Sequence, residues 1–481
     1  MTVSVRDGVL YLGEQPRLLL IGDYPYYRDP PQRWPGKLAA LRSAGLEVVS
    51  FYVPWRHHEL NGRFVFAGPG NRDLTGFLGA IRAAGLFALA KPGPHVHAEL
   101  PLGGLPDRVS PDHDPDRRPA RDAAGTPLRS HGRQLPSLGD PRFADEVDQW
   151  LAAAGGALKG WQWPDGPLLA VQAGNEGMYG ETALPLDGYD PGRSLAADLR
   201  GFADKLGLDV PAFANLSPPA PGQSAAWAAR GLPEYPAYGY TNWTGDPATD
   251  DDALARYTLA ASRARGPNLE ENWSLAWAFP HWHNPATPIF NWLLGLACGA
   301  TGLTVYTACA TEGWADHLVV PGIEAPYGAD APIGVDGTAG PAWPALRVLT
   351  HFLAAEGAAL MTSRQVQARG TECLERRRRS GTDTFVFLFN RRPGPCRVTS
   401  DELSIQLAGY GVALIRLRAG RLLSAYVKGM DERGGRHAPV DIPCADSHLR
   451  TTEPCDLAFV DHDGPARVWH TGSPANEVST R

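Results

Sequence analysis

The sequence predicts an α/β protein, with a (β/α)8 TIM barrel over residues 1–355 and a small β-sandwich-like domain over residues 356–481. First, short apolar runs alternate with amphipathic segments from residue 17 to residue 355, which is the pattern of repeated βα units. Second, eight of these runs have the length of strands, and eight parallel strands close naturally into a barrel. Third, strands and turns alternate beyond residue 360, which indicates a separate β domain.

The predicted elements follow one another regularly along the chain. The barrel strands are 18–23, 48–55, 87–92, 168–175, 212–215, 237–241, 269–273 and 303–307. The helices between them are 34–43, 74–84, 144–154, 194–206, 252–264, 290–298 and 343–355. The strands of the second domain are 384–389, 403–407, 412–417 and 457–460. We interpret the four arginines at 376–379 as the solvated strand of a hairpin, and the polar segment 101–137 as a long loop that shapes the active site.

Composition and charge exclude several classes of partner. The 481 residues include 54 Gly and 44 Pro, but 14 Trp, 15 Tyr and 15 Phe are too many for a disordered chain. A net charge of -7 leaves no basic field for nucleic acid, and no apolar run approaches the roughly 20 residues of a membrane span. Because no signal peptide pattern is visible, we expect a cytoplasmic protein. Six Cys without a CxxC pair predict reduced, mostly buried thiols, and no metal or other cofactor is expected.

Carboxylates stand at the ends of four predicted strands, at Glu59, Glu99, Glu176 and the pair Glu270-Glu271. The fourth strand ends in Asn175-Glu176, which places a carboxyl beside an amide at the mouth of the barrel, where shielding from water suits a general acid. Glu271 lies three strands further round and would face Glu176, and two carboxyls about 5 to 5.5 Å apart are what a retaining glycosidase uses. Neighbouring residues of a strand point to opposite faces, so only one of Glu270 and Glu271 can face the pocket.

Six segments in chain order resemble the motifs of glycoside hydrolase family 35, the β-galactosidase family. The segments are 21–28, 51–59, 91–100, 172–177, 270–273 and 327–333. They carry Tyr-Val-Pro-Trp, Pro-Gly-Pro, Ala-Glu, Asn-Glu, Glu-Asn-Trp and Asp-Ala-Pro in the places where the family has them or close equivalents. The chain is thereby identified as a divergent and short member. The resemblance implies a TIM barrel and a retaining β-galactosidase that removes a terminal β-linked sugar by double displacement.

The resemblance also implies roles for particular residues. Glu176 would be the acid/base and Glu271 the nucleophile, so that its neighbour Glu270 is not the nucleophile. Asn175 would donate a hydrogen bond to the sugar 2-hydroxyl. The residues expected to contact the substrate are Tyr26, Tyr52, His97, Ala98, Glu99, Asn175, Trp273, Tyr306 and Tyr327.

Two groups of aromatic residues are further candidates. Either Tyr306 or Tyr327 would place a hydroxyl near the nucleophile, and the sequence leaves that choice open. Trp55, Trp273 and Trp277 are candidate platforms for the apolar face of a sugar ring.

The chain departs from the family motifs around the sugar pocket. His97 stands where the family has Cys, Ala329 stands where it has a second Tyr, and segment 307–313 replaces a His-Gly-Gly-Thr-Asn-Phe-Gly segment. Part of the pocket is therefore rebuilt. An alternative hypothesis keeps the mechanism and changes the substrate to a β-glucosaminide or a glycosylated small metabolite.

Two other classes of function stay open. A carbohydrate-binding protein without catalysis would have no need of two opposed carboxylates. A metal-dependent hydrolase would use the His-x-His pairs 95–97 and 281–283, but we favour packing or rim histidines because no ordered set of further ligands accompanies them. The expected partner is a small β-glycoside, with no nucleic acid and no membrane, and the oligomeric state is left open.

Overall fold

Eight parallel strands form a closed barrel in the computed structural model of the chain. The structure describes residues 2–122, 124–180, 195–229, 235, 237–275, 285–400, 403–429, 439–443, 448–461 and 466–471. The barrel strands are β1 Leu19–Asp23, β2 Val48–Tyr52, β3 Phe87–Gly93, β4 Leu168–Ala173, β5 Ala212–Leu216, β6 Tyr238–Asn242, β7 Asn268–Glu271 and β8 Gly302–Val305. Consecutive strands are neighbours and β8 pairs with β1. A bridge between Asn272 and Tyr306 joins β7 to β8, which confirms the predicted TIM barrel.

A helix follows each barrel strand and covers the outside of the barrel. These helices are Trp34–Ser43, Leu74–Ala83, Pro141–Lys159, Leu195–Leu206, Ser224–Ala229, Asp251–Ala264, Ala286–Cys298 and Trp343–Met361. Shorter helical turns in the loops are Tyr26–Arg28, Pro31–Arg33, Trp55–His58, Gly70–Arg72, Pro101–Gly104, Asp107–Val109, Glu176–Gly180 and Asp316–Leu318. Two small hairpins, Glu59–Leu60 with Arg63–Phe64 and Arg129–Ser130 with Arg133–Gln134, also lie in loops. Among the described helices, none combines the length and the hydropathy needed to cross a membrane.

A small antiparallel sheet packs against one end of the barrel. Its strands are Val3–Arg6, Val9–Leu12 and Gln15–Arg17. Leu10 and Leu12 from this sheet form an apolar cluster with barrel residues that include Ile21, Phe213 and Leu269. Because apolar side chains fill this N-terminal end of the barrel, the polar side chains gather at the C-terminal ends of the strands.

The C-terminal part of the chain is an antiparallel sheet with two separate hairpins. The sheet strands are Arg364–Val366, Leu374–Ser380, Asp383–Phe389, Val412–Arg418, Arg421–Val427, Leu457–Val460 and Arg467–His470. The hairpins pair Cys396–Thr399 with Ser404–Leu407, and Asp441–Pro443 with His448–Arg450. The helix Trp343–Met361 runs across residue 355 and contacts this sheet, and the division of the chain into two domains stays a prediction.

The hairpin expected around the four arginines is present, but its arginines are not all solvated. Arg377 and Arg378 are buried. The guanidinium of Arg378 donates to the carbonyl oxygens of Leu296 at 2.8 Å and Ser363 at 2.9 Å. Leu296 lies in the last turn of Ala286–Cys298, where a cation is favourable because it opposes the negative end of the helix dipole. Arg378 thus joins the sheet to the barrel, which corrects the expectation of a solvated strand.

Candidate active site

Glu270 lies inside the barrel at the C-terminal end of β7. Its Oε1 accepts hydrogen bonds from the hydroxyl of Tyr52 and from Nδ2 of Asn215, the second at 3.3 Å. Burial raises the pKa of Glu270 to about 8, although the ammonium of Lys91 and the hydrogen bond from Tyr52 act to lower it. Repulsion from Glu176 adds to the rise, so the two carboxyls interact through space.

Glu176 begins the turn that follows β4. It has a φ of +46°, between Gly174 at +67° and Gly177 at +79°, so the chain leaves the strand through a left-handed turn that glycine favours. Its side chain is 10% exposed. Its backbone amide donates to Oδ1 of Asn215 at 2.6 Å, and its Oε1 accepts from the hydroxyl of Thr241 at 2.9 Å.

Asn215, on β5, connects the two carboxyl-bearing residues. Its amide oxygen accepts from the backbone of Glu176, and its amide nitrogen donates to Glu270 and to Oδ1 of Asn175, the latter at 3.0 Å. The structure therefore brings Glu176, Asn175 and Glu270 together.

Glu271 points away from this cluster. Its Oε1 accepts from Nδ2 of Asn242 at 2.5 Å and of Asn291 at 2.9 Å, and its Oε2 accepts from Nδ2 of Asn268 at 2.9 Å. Asn291 belongs to the helix Ala286–Cys298, so this carboxyl lies between the barrel wall and its helices. Burial raises the pKa of Glu271 to about 8. This placement corrects the expectation that Glu271 faces Glu176.

A β-bulge in β7 is the physical reason for the difference. Leu269 belongs to the apolar cluster at the N-terminal end of the barrel, so strict alternation from this residue would also turn Glu271 inward. In the pairing with β6, Tyr240 lies opposite Asn268 and Thr241 lies opposite Glu270, so β7 uses two residues where β6 uses one. Such a bulge interrupts the alternation, and Glu270 takes the inward position.

Lys91 is a buried cation beside this cluster. Its Nζ donates to the carbonyl oxygen of Leu269 at 3.0 Å and lies 3.7 Å from Oδ2 of Asp23. The same atom lies 4.7 Å from the centroid of the Tyr52 ring, which is a cation–π distance. A buried ammonium needs such partners. Because its charge lowers the pKa of Glu270, Lys91 favours the ionised form of that carboxyl.

A third carboxyl, Glu99, lies against two tyrosine hydroxyls. Its Oε2 accepts from Tyr306 at 3.3 Å and from Tyr327. Arg28 lies 3.9 Å from the centroid of the Tyr327 ring and donates to the carbonyl oxygens of Ala98 and Glu99 at 2.9 Å. Both of these loop residues have positive φ, +50° and +47°, and the two bonds from Arg28 hold that backbone in place.

Tyr52 supplies the hydroxyl next to Glu270, whereas the sequence suggested Tyr306 or Tyr327 for the hydroxyl near the nucleophile. Tyr306 and Tyr327 donate to Glu99, whereas Tyr52 donates to Glu270 and also to Oδ1 of Asn175 at 3.1 Å. Among the described residues, Tyr52 is thus the tyrosine placed to support Glu270.

His97 borders the cluster. Its Nε2 lies 4.0 Å from Oε2 of Glu176, and its ring meets the ring of His95 edge to face with centroids 4.5 Å apart. His95 is buried, and burial lowers its pKa well below the usual value. Within the described ranges, no group of three or more His, Cys, Asp or Glu is placed to hold a metal ion.

Two residues expected to contact the substrate lie outside the cluster. Tyr26 is fully buried, with its hydroxyl 2.7 Å from Nε2 of His58 and its ring stacked on Phe77 at 4.5 Å. Trp273 is 1% exposed and packs edge to face on Trp292 at 5.1 Å. Both side chains pack in the protein core, so we leave Tyr26 and Trp273 out of the proposed site.

The other candidate stacking residues and the second histidine pair are placed as follows. Trp55 is buried and stacks on Trp150 with centroids 5.7 Å apart, so its face is not open to a sugar. Trp277, His281 and His283 lie outside the described residues. Trp243 is a half-buried aromatic that the sequence did not suggest, and it meets Tyr306 edge to face at 5.6 Å.

Sequence reasoning missed the site residues Lys91, Asn215 and Thr241, and it noticed Glu270 but did not place it in the site. Each lies on a barrel strand in its C-terminal half, and this position is the signal that was available. The sequence motifs pointed to residues at the ends of the strands. Asn215 and Thr241 lie on β5 and β6, the two strands with the weakest apolar pattern.

A family model described as Glycosyl hydrolases family 35 matches residues 9–118. This region contains β1 to β3 and the loop that carries His97 and Glu99. The chain is similar to glycosyl hydrolase family 35 over this first part of the barrel. Glu176 and Glu270 lie beyond the region that the family 35 model matches.

Three relatives show how far the similarity extends. Beta-galactosidase of Mus musculus is 32% identical over 177 residues, which are 36% of this chain and 24% of that protein. Beta-galactosidase of Bos taurus is 32% identical over 201 residues, 41% of this chain and 26% of that protein. Exo-beta-D-glucosaminidase of Thermococcus kodakarensis is 28% identical over 178 residues, 35% of this chain and 22% of that protein. The chain spans about a quarter of the length of these relatives.

Proposed function

We propose that this protein is a retaining exo-glycoside hydrolase that removes a terminal β-linked sugar, and that the sugar is galactose. The observation that carries the proposal is the pairing of Glu176 and Glu270 at the C-terminal end of the barrel, connected by Asn215. Two opposed carboxyls, one that gives a proton and one that attacks an anomeric carbon, are the apparatus of such an enzyme. The family match and the names of the beta-galactosidase relatives support the reaction class and the sugar.

In the first step Glu270 attacks the anomeric carbon while Glu176 gives its proton to the departing oxygen. Repulsion from Glu176 is one cause of the raised pKa of Glu270, so Glu270 ionises more easily when Glu176 carries a proton. The hydroxyl of Tyr52 and the ammonium of Lys91 further favour the ionised form. The result is a covalent glycosyl-enzyme with inverted anomeric configuration.

In the second step Glu176, now ionised, takes a proton from water, and the resulting hydroxide releases the sugar from Glu270. The second inversion restores the original configuration. Asn175, which accepts a hydrogen bond from Asn215, contacts the sugar 2-hydroxyl in this proposal, an interaction that strengthens in the transition state.

A second candidate keeps this mechanism and changes the sugar to β-linked glucosamine. Relatives named exo-beta-D-glucosaminidase favour it. The rebuilt segment after β8 and His97 beside Glu176 are where the pocket departs from the motifs of the β-galactosidases. A binding protein without catalysis is disfavoured, because binding alone has no use for a proton donor opposite a nucleophile.

A panel of nitrophenyl glycosides tests the proposal. We expect release of nitrophenol from the β-galactoside and a β-configured sugar as the first product in the NMR spectrum. Faster turnover of the β-glucosaminide would select the second candidate. An α-configured first product would contradict double displacement, and no turnover of any glycoside by the folded protein would favour the binding protein.

A further inference from the structure

Two cysteines in the C-terminal part of the chain face each other. The Sγ atoms of Cys373 and Cys396 lie 2.9 Å apart. Nonbonded heavy atoms rest roughly 3.5 to 4.0 Å apart, so nothing separates the two sulfurs. The sequence predicted reduced, mostly buried thiols because the six Cys form no CxxC pair, and these two residues are 23 positions apart.

The positions of the two cysteines show what a bond between them would join. Cys373 immediately precedes the strand Leu374–Ser380 of the main antiparallel sheet. Cys396 opens the hairpin strand Cys396–Thr399, which pairs with Ser404–Leu407 and belongs to a separate two-stranded sheet. Within the described residues no backbone ladder pairs these two sheets, and the two cysteines lie in one apolar cluster between them.

We propose that Cys373 and Cys396 form an intramolecular disulfide, and that this pair is a modification site of the protein. The oxidant is a small-molecule disulfide such as oxidised glutathione. One cysteine thiolate attacks a sulfur of the oxidant and releases one glutathione, and the second cysteine attacks the mixed disulfide and releases the other. One S–S bond breaks and one forms, the two cysteine protons end on two glutathione thiols, and the protein loses the two electrons that the oxidant gains.

The environment indicates when the bond forms. The two residues are only 8% and 5% exposed, and burial raises the pKa of Cys373, which disfavours the attacking thiolate in the folded protein. Formation is therefore slow once the chain is folded and faster while it folds. The crosslink is a structural one that stabilises the C-terminal sheet rather than a rapid sensor of oxidants.

The test compares two treatments of the full chain with oxidised glutathione, one in the native state and one during refolding from urea. Free thiols are then alkylated in denaturant without reduction, and peptides are identified by mass spectrometry. We expect a linked peptide pair containing Cys373 and Cys396 after refolding, with Cys298 and Cys309 alkylated. We also expect the thermal midpoint to be roughly 5 °C higher than that of the reduced protein.

Matched variants make the result specific. C373S and C396S should each lose both the linked pair and the gain in thermal midpoint, whereas C298S should keep both. Alkylation of Cys373 and Cys396 after refolding with oxidant would overturn the proposal, because access no longer limits the reaction there. Pairing of either residue with Cys444 or Cys455 would also overturn it. An unchanged midpoint in a protein shown to be crosslinked would contradict the stabilising role.

Discussion

Glu270 and Glu271 are adjacent and buried, and burial raises the pKa of each to about 8, yet the two sides of β7 surround them differently. Inside the barrel, Glu270 interacts with a tyrosine hydroxyl, an ammonium and a second carboxyl. Outside, Glu271 accepts hydrogen bonds from three asparagine amides. A raised pKa alone therefore does not identify a reacting carboxyl. What distinguishes Glu270 from Glu271 is that its neighbours include an ammonium and a second carboxyl, which interact with the charge of the Glu270 carboxyl.

The largest expected effect separates the two faces directly. We expect E270Q to lower kcat on a nitrophenyl β-galactoside by about 10⁴-fold or more, because an amide cannot form the glycosyl-enzyme. E271Q should retain kcat within about 10-fold when measured per folded protein, because the Glu271 carboxyl accepts hydrogen bonds from the amides of Asn242, Asn268 and Asn291 rather than from the residues around Glu270. Steady-state kinetics on both variants, with circular dichroism as the folding control, make the comparison. A double variant with E176Q reports contaminating activity, and equal losses in E270Q and E271Q would remove the distinction between the faces.

The next effect depends on the leaving group. We expect E176A to lose about 10² to 10⁴-fold in kcat/KM on glycosides with alkyl leaving groups, because their oxygen must be protonated as it departs. The loss should be much smaller for a dinitrophenyl glycoside, which leaves without that proton. Azide should restore turnover and give a β-glycosyl azide, identified by NMR. A uniform loss for all leaving groups would contradict the acid/base role.

Lys91 should affect the inner carboxyl through its charge. Since the ammonium lowers the pKa of Glu270, K91M should raise that pKa and move the acidic limb of kcat/KM by about one pH unit toward higher pH. K91R should keep the charge and leave the limb near its original position. A K91M profile that is lower at every pH but unshifted would show that Lys91 acts only through packing.

The smallest expected effect is that of E271Q on the stability of the fold. Replacing the carboxyl by an amide in E271Q puts an amide nitrogen against an asparagine donor, which should cost about 1 to 3 kcal/mol of unfolding free energy in urea. The pKa of Glu271 in the folded protein, about 8, lies above its usual value. The protonated carboxyl therefore stabilises the fold fully at acidic pH, and this stabilisation is lost as pH rises through about 8. The thermal midpoint of the wild type should therefore fall between pH 5 and pH 8, and that of E271Q should fall less. A steeper fall in E271Q would contradict this linkage.

Much of the barrel could be predicted because its signals are local. Each apolar run of β1 to β4 has strand length, and the helices beside them have amphipathic patterns, so these elements follow from short segments of sequence. The C-terminal hairpin was also visible, from alternation on both sides of the turn at residues 381–382. The burial of Arg378 was not, because it depends on where the helix Ala286–Cys298 ends relative to the sheet.

The site shows the same limit. Motifs placed Glu176, Asn175 and Glu99 at one end of the barrel, and the structure brings them to that end. The orientation of Glu270 required the register between β6 and β7, and a single-residue bulge leaves no trace in so short a strand. Tyr26 failed as a substrate contact for a related reason. Its motif position is family-like, but its side chain turns toward Phe77 and His58 rather than into the barrel.

The most direct measurement of the central claim is the position of a covalent label. A 2-deoxy-2-fluoro β-galactoside with a good leaving group should inactivate the protein by trapping the glycosyl-enzyme, and peptide mass spectrometry should then locate the sugar. A label on Glu270 is the predicted result, with Glu271 unmodified in the same peptide. A label on Glu271 would contradict the assignment of the inner face of β7 as the reacting one.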